Sequence, residues 1–346
     1  MKITKKVFSL LIIISILLTC ACGQNQQAQV NSEAKEVSVL ILPHFEIGEM
    51  AGDVIGEAQL YYEEYLMNAE EYTTSDGTII YYNPENKVAM SIPGYGKVNT
   101  AIAETAVLSD ERFDYSKAYV FSTGCAGGAA GYTVFGDVVL ETAVCDFDLG
   151  HSIDSTELSL EGSPTWFHDV SFDTMDSKKF NKALLEKAYD LTKDIKLQTT
   201  EIAKATLERN FAGEEWINRE PQVIKGTATT SDNYWKGEIE HQRALDIVSY
   251  YGCEDPYALT EMEDMTTANV CERFGLLDRL VIIRGSVNVD VFIDDAFPEK
   301  LWDESFNWIE DVSESNEETL DIFTPAMENI FAVGKTIIDA MLNESL

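Results

Sequence analysis

The chain has 346 residues, 45% hydrophobic and 25% charged, a mixture ordinary for a globular protein and rich enough in apolar residues to bury a core. Its 60 acidic and 25 basic residues leave a formal net charge of −35, which excludes a nucleic-acid backbone as partner and disfavours an anionic ligand that lacks its own basic pocket; a neutral metabolite fits better. Past residue 22, Cys125, Cys145, Cys253 and Cys271 show no CxxC spacing and the four histidines are scattered, so no metal site, cofactor or Cys/His nucleophile is indicated, while disulfides stay open.

Lys2, Lys5 and Lys6 precede a nearly unbroken apolar run, Val7 to Leu18, the pattern of a secretory signal. As a helix that run rises only about 18 Å against a hydrocarbon core of about 30 Å, too short for a permanent span. Leu18-Thr19-Cys20-Ala21-Cys22-Gly23 resembles a bacterial lipoprotein signal, with Cys22 the better candidate than Cys20 for acylation; cleavage after Ala21 without lipid is the other reading. The expected product is an exported protein, lipid-anchored on the outer face of the bacterial cell membrane. Residues 1–22 are then a signal peptide, 23–36 a polar flexible tether, and 37–346 a single domain with a helical C-terminal extension.

Within that domain Val37 to Leu42, ending at Pro43, reads as a buried first strand, followed by a helix from Glu49 to Met67. Gly77 to Tyr82 and Lys87 to Ile92 flank an Asn83-Pro84-Glu85-Asn86 turn and predict a hairpin. Gly94-Tyr95-Gly96-Lys97 opens a helix to about Ser109. Ala118 to Thr123 is a strand running into a turn at Gly124-Cys125-Ala126-Gly127-Gly128, and Gly136 to Val144 is the next strand. Lys178 to about Phe211 has helical periodicity with charged outer faces, Val223 to Thr229 returns to strand, and Lys236 to Tyr250 to helix. Ala258 to Glu261 is a short strand feeding a helix from Asp264 to Phe274; Leu280 to Arg284 is a core strand that Arg284 ends, and Ala326 to Leu342 an amphipathic helix. This alternation predicts a three-layer α/β/α fold with a mixed, mainly parallel central sheet.

Ligands of open α/β sheets sit at the carboxyl ends of strands. Four segments there stand out: Gly94-Tyr95-Gly96-Lys97-Val98-Asn99, Thr123 to Gly128, Thr229-Thr230-Ser231-Asp232-Asn233-Tyr234-Trp235, and Glu261-Met262-Glu263 with Arg284-Gly285-Ser286-Val287-Asn288. In this order they resemble the nucleoside phosphorylase/hydrolase superfamily. Pro221-Gln222-Val223 leading to Gly226, Thr230 to Gly237, and Thr260-Glu261-Met262-Glu263-Asp264 resemble, more narrowly, the purine nucleoside permease family. The resemblance covers roughly Val37 to Asp290.

The resemblance implies that Glu263 accepts hydrogen bonds from the ribose 2′ and 3′ hydroxyls, that Met262 packs beneath the sugar, and that Tyr234, extended by Trp235, stacks on the base. It places Gly124, Cys125, Ala126 and Gly127 against the ligand, and gives Asp232 a part in orienting the base loop, although an Asx turn or helix cap explains that aspartate equally well. Asn288 matches the residue contacting purine N7; an amide hydrogen-bonds but cannot give up a proton as an Asp does, which suits 6-oxopurines, and Asp290 is the backup acid. Phosphorylases carry arginine and serine before the Gly-x-Gly turn, where this chain has Met90-Ser91-Ile92-Pro93, so water is the expected nucleophile. Glu46, ahead of Glu49, is the candidate to activate it. His44 could reach the ribose 5′ hydroxyl, with a polar loop residue as the plainer reading.

Two functions are carried forward: an exported purine nucleoside ribohydrolase serving uptake and salvage, or a non-catalytic, lipid-anchored nucleoside-binding protein that serves a separate transporter. A surface protein using another ligand is a third, since fold does not fix function. A homo-oligomer whose neighbouring subunit reaches the pocket stays open.

Overall fold

The computed structural model describes residues 34–152, 166–167, 177–291 and 317–346. The signal sequence, Cys20, Cys22 and the tether up to residue 33 lie outside the described residues. Contacts group Lys35–Leu346 as one unit. It begins at Lys35, because Lys35 and Glu36 pair in parallel with Phe113 and Asp114.

The strands of its main sheet are β1 (Val39–Pro43), β2 (Glu70–Thr73), β3 (Ile79–Asn83), β4 (Val88–Met90), β5 (Tyr119–Gly128), β6 (Val138–Asp146), β7 (Ser177–Lys179), β8 (Val223–Thr230), β9 (Tyr257–Glu261) and β10 (Leu280–Val289). The helices are α1 (Gln59–Tyr65), α2 (Lys97–Leu108), α3 (Lys182–Thr192), α4 (Glu201–Phe211), α5 (Glu238–Tyr250), α6 (Asp264–Arg273) and α7 (Glu317–Leu342). None of the described helices is long and apolar enough to cross a membrane.

One mixed sheet runs in the order β7-β6-β8-β9-β5-β1-β4-β3-β2, and β10 pairs with both β5 and β6. Strands β6, β8, β9, β5 and β10 thereby close into a ring. Parallel and antiparallel pairings are equal in number, so the sheet is evenly mixed where mainly parallel pairing was expected. The antiparallel half comes from the β2–β3–β4 meander, from the edge strand β7 on β6, and from the two pairings that complete the ring, β9 with β5 and β10 with β6. Apolar runs that are buried on both faces supply the core, with Leu40, Ile41, Phe121, Leu140, Ile282 and Ile283 fully buried.

Several elements differ from the expectation for identifiable reasons. The helix expected from Glu49 shrinks to Gln59–Tyr65, because Gly48 and Gly52 adopt φ of +76° and +87°, left-handed backbone that interrupts a right-handed helix. The long helix expected from Lys178 is a strand and two helices, capped where the Asn181 side chain accepts from Leu184 N–H and Thr200 from Ala203 N–H. The glycine-rich run after Thr123 is no turn: β5 continues through Gly128, paired with β10 along its length. Likewise β10 does not end at Arg284 but runs to Val289. The C-terminal helix begins at Glu317, earlier than Ala326, and packs on β1, β5, β6 and β10.

Candidate functional site

The glycines of β5 and the polar residues of β10 build the floor of the site together. Arg284, in the middle of β10, is 1% exposed. Its Nε and Nη2 donate to the two oxygens of Asp264 at 2.8 and 2.7 Å, and Nη2 also donates to Glu263 Oε2 at 3.1 Å. Burial opposes the guanidinium charge, but Asp264 and Glu263 more than offset that and hold it firmly protonated. A Cβ on Gly124 would lie 2.5 Å from both Arg284 Nη1 and Glu57 Oε1, so only glycine lets the strand pass between these two charged groups.

Glu57, in the loop ahead of α1, accepts Cys125 N–H at 2.7 Å through one oxygen and His44 N–H at 2.8 Å through the other. Burial pushes its carboxyl up to about 7, with Arg284 pulling the other way and Glu263 adding to the rise. Glu263 itself is 4% exposed; its Oε1 accepts Gly96 N–H at 3.0 Å, which ties the Gly94–Gly96 turn to the end of β9. Glu261 accepts Glu263 N–H and Asp264 N–H and so caps α6. Burial also raises Glu104, Glu141 and Glu261, so Arg284 sits within a cluster of buried carboxyls, several of them held neutral.

These groups open onto a cavity of about 340 Å³. From the sequence-predicted set it is lined by Cys125, Ala126, Gly127, Tyr234, Trp235, Met262, Glu263, Asn288 and Asp290, drawn from the ends of β5, β8, β9 and β10. His44, considered for the ribose 5′ hydroxyl, lines it too, as do Phe45, Glu57, Tyr95, Lys236 and Arg284. Burial lowers the His44 imidazole to about 4, so it is neutral at pH 7, and its Nε2 lies 3.2 Å from Ser122 Oγ. The opposite wall is aromatic: Tyr234 is 53% exposed at the rim, and Trp235 stacks on Phe147 with ring centroids 4.8 Å apart and planes at 10°. A bulge in β10 at Val287 sets Asn288 opposite Gly127, and the Asn288 amide donates to the Tyr234 hydroxyl.

Five expected residues are placed elsewhere or otherwise engaged. Gly124 does not line the cavity, because its backbone passes between the Arg284 and Glu57 side chains. Glu46 does not line the cavity. Its Oε2 accepts Ala58 N–H at 2.8 Å and Gln59 N–H at 2.5 Å, and its Oε1 accepts Ile47 N–H at 2.8 Å; it caps α1 and thereby fixes the backbone next to Glu57. Asp232 is exposed and accepts Lys97 N–H at 2.7 Å, which makes it a cap for α2 rather than a wall of the cavity. Asp290 faces the cavity, but one oxygen accepts Ala130 N–H at 3.0 Å and the other meets the Tyr257 hydroxyl at 2.8 Å and His241 Nδ1 at 2.7 Å, so both oxygens are engaged within the protein. Glu49 also lies off the cavity, its N–H bonded to Asp53.

The rim is fastened by charge. Lys97 Nζ lies 2.7 Å from Asp146 and 2.9 Å from Asp148, and these carboxylates keep it charged against the cost of its burial. Asp148 in turn accepts from the Ser231 hydroxyl and Asp232 N–H. Helix α2, the end of β6 and the Ser231–Asp232 turn are thus locked together. Among the described residues the only guanidinium facing the cavity is already neutralised, and Ser91, ahead of the Gly94 turn, spends its hydroxyl on the Ile79 carbonyl at 2.8 Å. Neither offers an anion a seat. Also among the described residues, no group of three or more His, Cys, Asp or Glu side chains is arranged to hold a metal ion.

Comparison with known proteins bears on this arrangement. Residues 36–345 match the family model described as "Purine nucleoside permease (NUP)". The chain is 26% identical over 211 residues to a purine nucleoside permease of Candida albicans, an alignment covering 55% of this chain and 51% of that protein, so it spans about half the length of the curated relatives it matches. Among solved structures it is similar to a 5′-methylthioadenosine/S-adenosylhomocysteine nucleosidase from Neisseria meningitidis in complex with methylthio-immucillin-A, at 18% identity over 90% of this chain and 100% of that one, TM-score 0.51. It is also similar to futalosine hydrolase of Helicobacter pylori, at 14% identity over 88% and 98% of the two chains, TM-score 0.54. At these identities the likeness shows a shared mixed α/β fold.

Proposed function

Because this chain belongs to the purine nucleoside permease family, we propose that its cavity binds a purine nucleoside and hydrolyses the N-glycosidic bond. The observation that carries the reading is the convergence of Glu263, Met262, Tyr234 and Trp235 with a carboxyl near neutrality, Glu57, on one cavity of about 340 Å³. Glu263 accepts the two ribose hydroxyls while Arg284 and the Gly96 N–H hold it in place, and its charge stabilises the positive charge that develops on the sugar as the bond breaks. Met262 fills the underside of the sugar, and Tyr234 and Trp235 cover the base.

Glu57 takes the place first assigned to Glu46: a base near pH 7 beside the sugar takes a proton from an attacking water. Asn288 donates one amide hydrogen to Tyr234 and has a second for purine N7, so it stabilises a departing base without protonating it, which favours 6-oxopurines. The named relatives support a purine ligand: one is a purine nucleoside permease and one was solved with methylthio-immucillin-A. The superfamily's three-layer packing of helices on both faces of the sheet, export and lipid anchoring through Cys22 belong to the same proposal, as does release of base and ribose outside the cytoplasm.

The test is to incubate the purified protein with inosine, guanosine and adenosine, with and without phosphate, and to follow free base by chromatography. Release independent of phosphate is expected; release only with phosphate would refute water as nucleophile. Asn288 in place of an acid, with Asp290 already engaged, favours a second reading, capture of an intact nucleoside for a separate transporter. Calorimetry showing tight binding with the nucleoside recovered unchanged would establish it. Neither binding nor release would sink both.

A further inference from the structure

Cys145 and Cys253 are 108 positions apart, yet their sulfurs meet at 3.7 Å, within contact distance. Cys145 is fully buried near the end of β6, opposite Ser177 of β7. Cys253 is half-buried in the turn between α5 and β9, where a small backbone shift can bring the sulfurs to the bonding distance of about 2 Å. Lys179 stands beside them, its ammonium donating to the Gly252 carbonyl at 3.0 Å. The hydrogen bond from the Cys145 thiol, helped by the Lys179 charge, holds the Cys253 thiol below its usual range, whereas Cys145, as donor and buried, is held above it. The accessible sulfur is therefore the nucleophile and the buried one is placed to resolve. Cys125 and Cys271 have no such partner in contact, and burial raises both thiols.

We propose that Cys145 and Cys253 are a modification site at which the folded chain forms an intramolecular disulfide by exchange with a low-molecular-weight disulfide. The Cys253 thiolate attacks one sulfur of the reagent and forms a mixed disulfide, expelling one thiolate. Cys145 then loses its proton and attacks the Cys253 sulfur, expelling the second. Two protein thiols are oxidised, the reagent is reduced to two thiols, and the protons from the cysteines end on the released thiolates. The bridge ties the end of β6 to the turn before β9 and closes a long loop in the unfolded chain, so it restricts the unfolded state more than the folded one.

The test treats the full chain with oxidised glutathione, alkylates it under denaturing conditions, and maps peptides by mass spectrometry without reduction. The expected product is a Cys145–Cys253 peptide pair two hydrogens lighter than the free thiols, with Cys125 and Cys271 alkylated, and a melting temperature several degrees higher that returns on reduction. Cys145→Ser should stop the reaction at glutathione on Cys253. Full alkylation of Cys145 and Cys253 in the treated wild type, or glutathione persisting on wild-type Cys253 without resolution, would overturn the proposal.

Discussion

Replacing Glu104 by glutamine isolates the cost of keeping one carboxyl in the buried acid cluster. Glu104 is 1% exposed on α2 and accepts the Thr267 hydroxyl at 2.7 Å. Burial, with the nearby charges of Asp264 and Glu263, moves its carboxyl from an ordinary 4.5 to about 8. At about 1.4 kcal/mol for each tenfold change in proton affinity, ionising it costs on the order of 5 kcal/mol more in the folded chain than in the unfolded one. A group whose folded value is raised contributes its stability fully below the unfolded value and loses it as pH climbs to the folded value. Between about pH 5.5 and 8 the wild type should therefore lose roughly 3 kcal/mol relative to Glu104→Gln, which keeps an acceptor for Thr267 but cannot ionise. Urea unfolding of both proteins at the two pH values measures this directly. A stability difference that does not change with pH would refute the reasoning, since it would mean that Glu104 ionises in the folded chain as readily as in water.

Other expectations follow from the site. Glu57→Gln should abolish turnover while preserving nucleoside binding, and wild-type kcat/KM should rise about tenfold per pH unit up to near pH 7 and then level off, because the base must be unprotonated. Glu263→Gln should lower kcat/KM at least about 100-fold through loss of charge-assisted bonds to the sugar, while circular dichroism stays unchanged. Glu46→Gln, read by the same pH profile, should displace the Glu57 limb without removing it, since Glu46 caps the helix that follows Glu57 and stands off the cavity. Gly124→Ala should cost about 1–3 kcal/mol or more in denaturant titration, because its methyl would sit between Arg284 and Glu57.

The strands and the wall of the cavity were legible because their determinants are local. Apolar runs such as Val39–Leu42 and Leu280–Ile283 announce buried strands, and the Glu261-Met262-Glu263 and Tyr234-Trp235 phrases sit where a strand meets a helix or turn. Glu57 is not legible in the sequence because little near it marks it. Its importance comes from burial against Arg284 and the backbone of β5, contacts of long sequence separation. A carboxylate beside Gly56, just before an amphipathic helix, was the faint signal. Arg284 looked like a strand end because a charged residue inside an apolar strand needs buried partners, and Asp264 and Glu263 are supplied by a different element. The closed ring was invisible for the same reason, since a strand that pairs with two partners looks like one that pairs with only one.

The seating of α7 has a consequence for the order in which the chain acquires its structure. Gly334 fits against Tyr61 and Phe121, and Ile330 fits against Gly285, so a helix that follows every other described element in sequence covers strands from the first, middle and last thirds of the domain. Until Glu317–Leu342 is in place, β1, β5 and β10 lack the helix that packs on them, and among the described residues that leaves apolar surface open. A chain truncated before Glu317 should accordingly bind a dye for exposed apolar surface and aggregate, whereas one that melts cooperatively would show that the lid is dispensable.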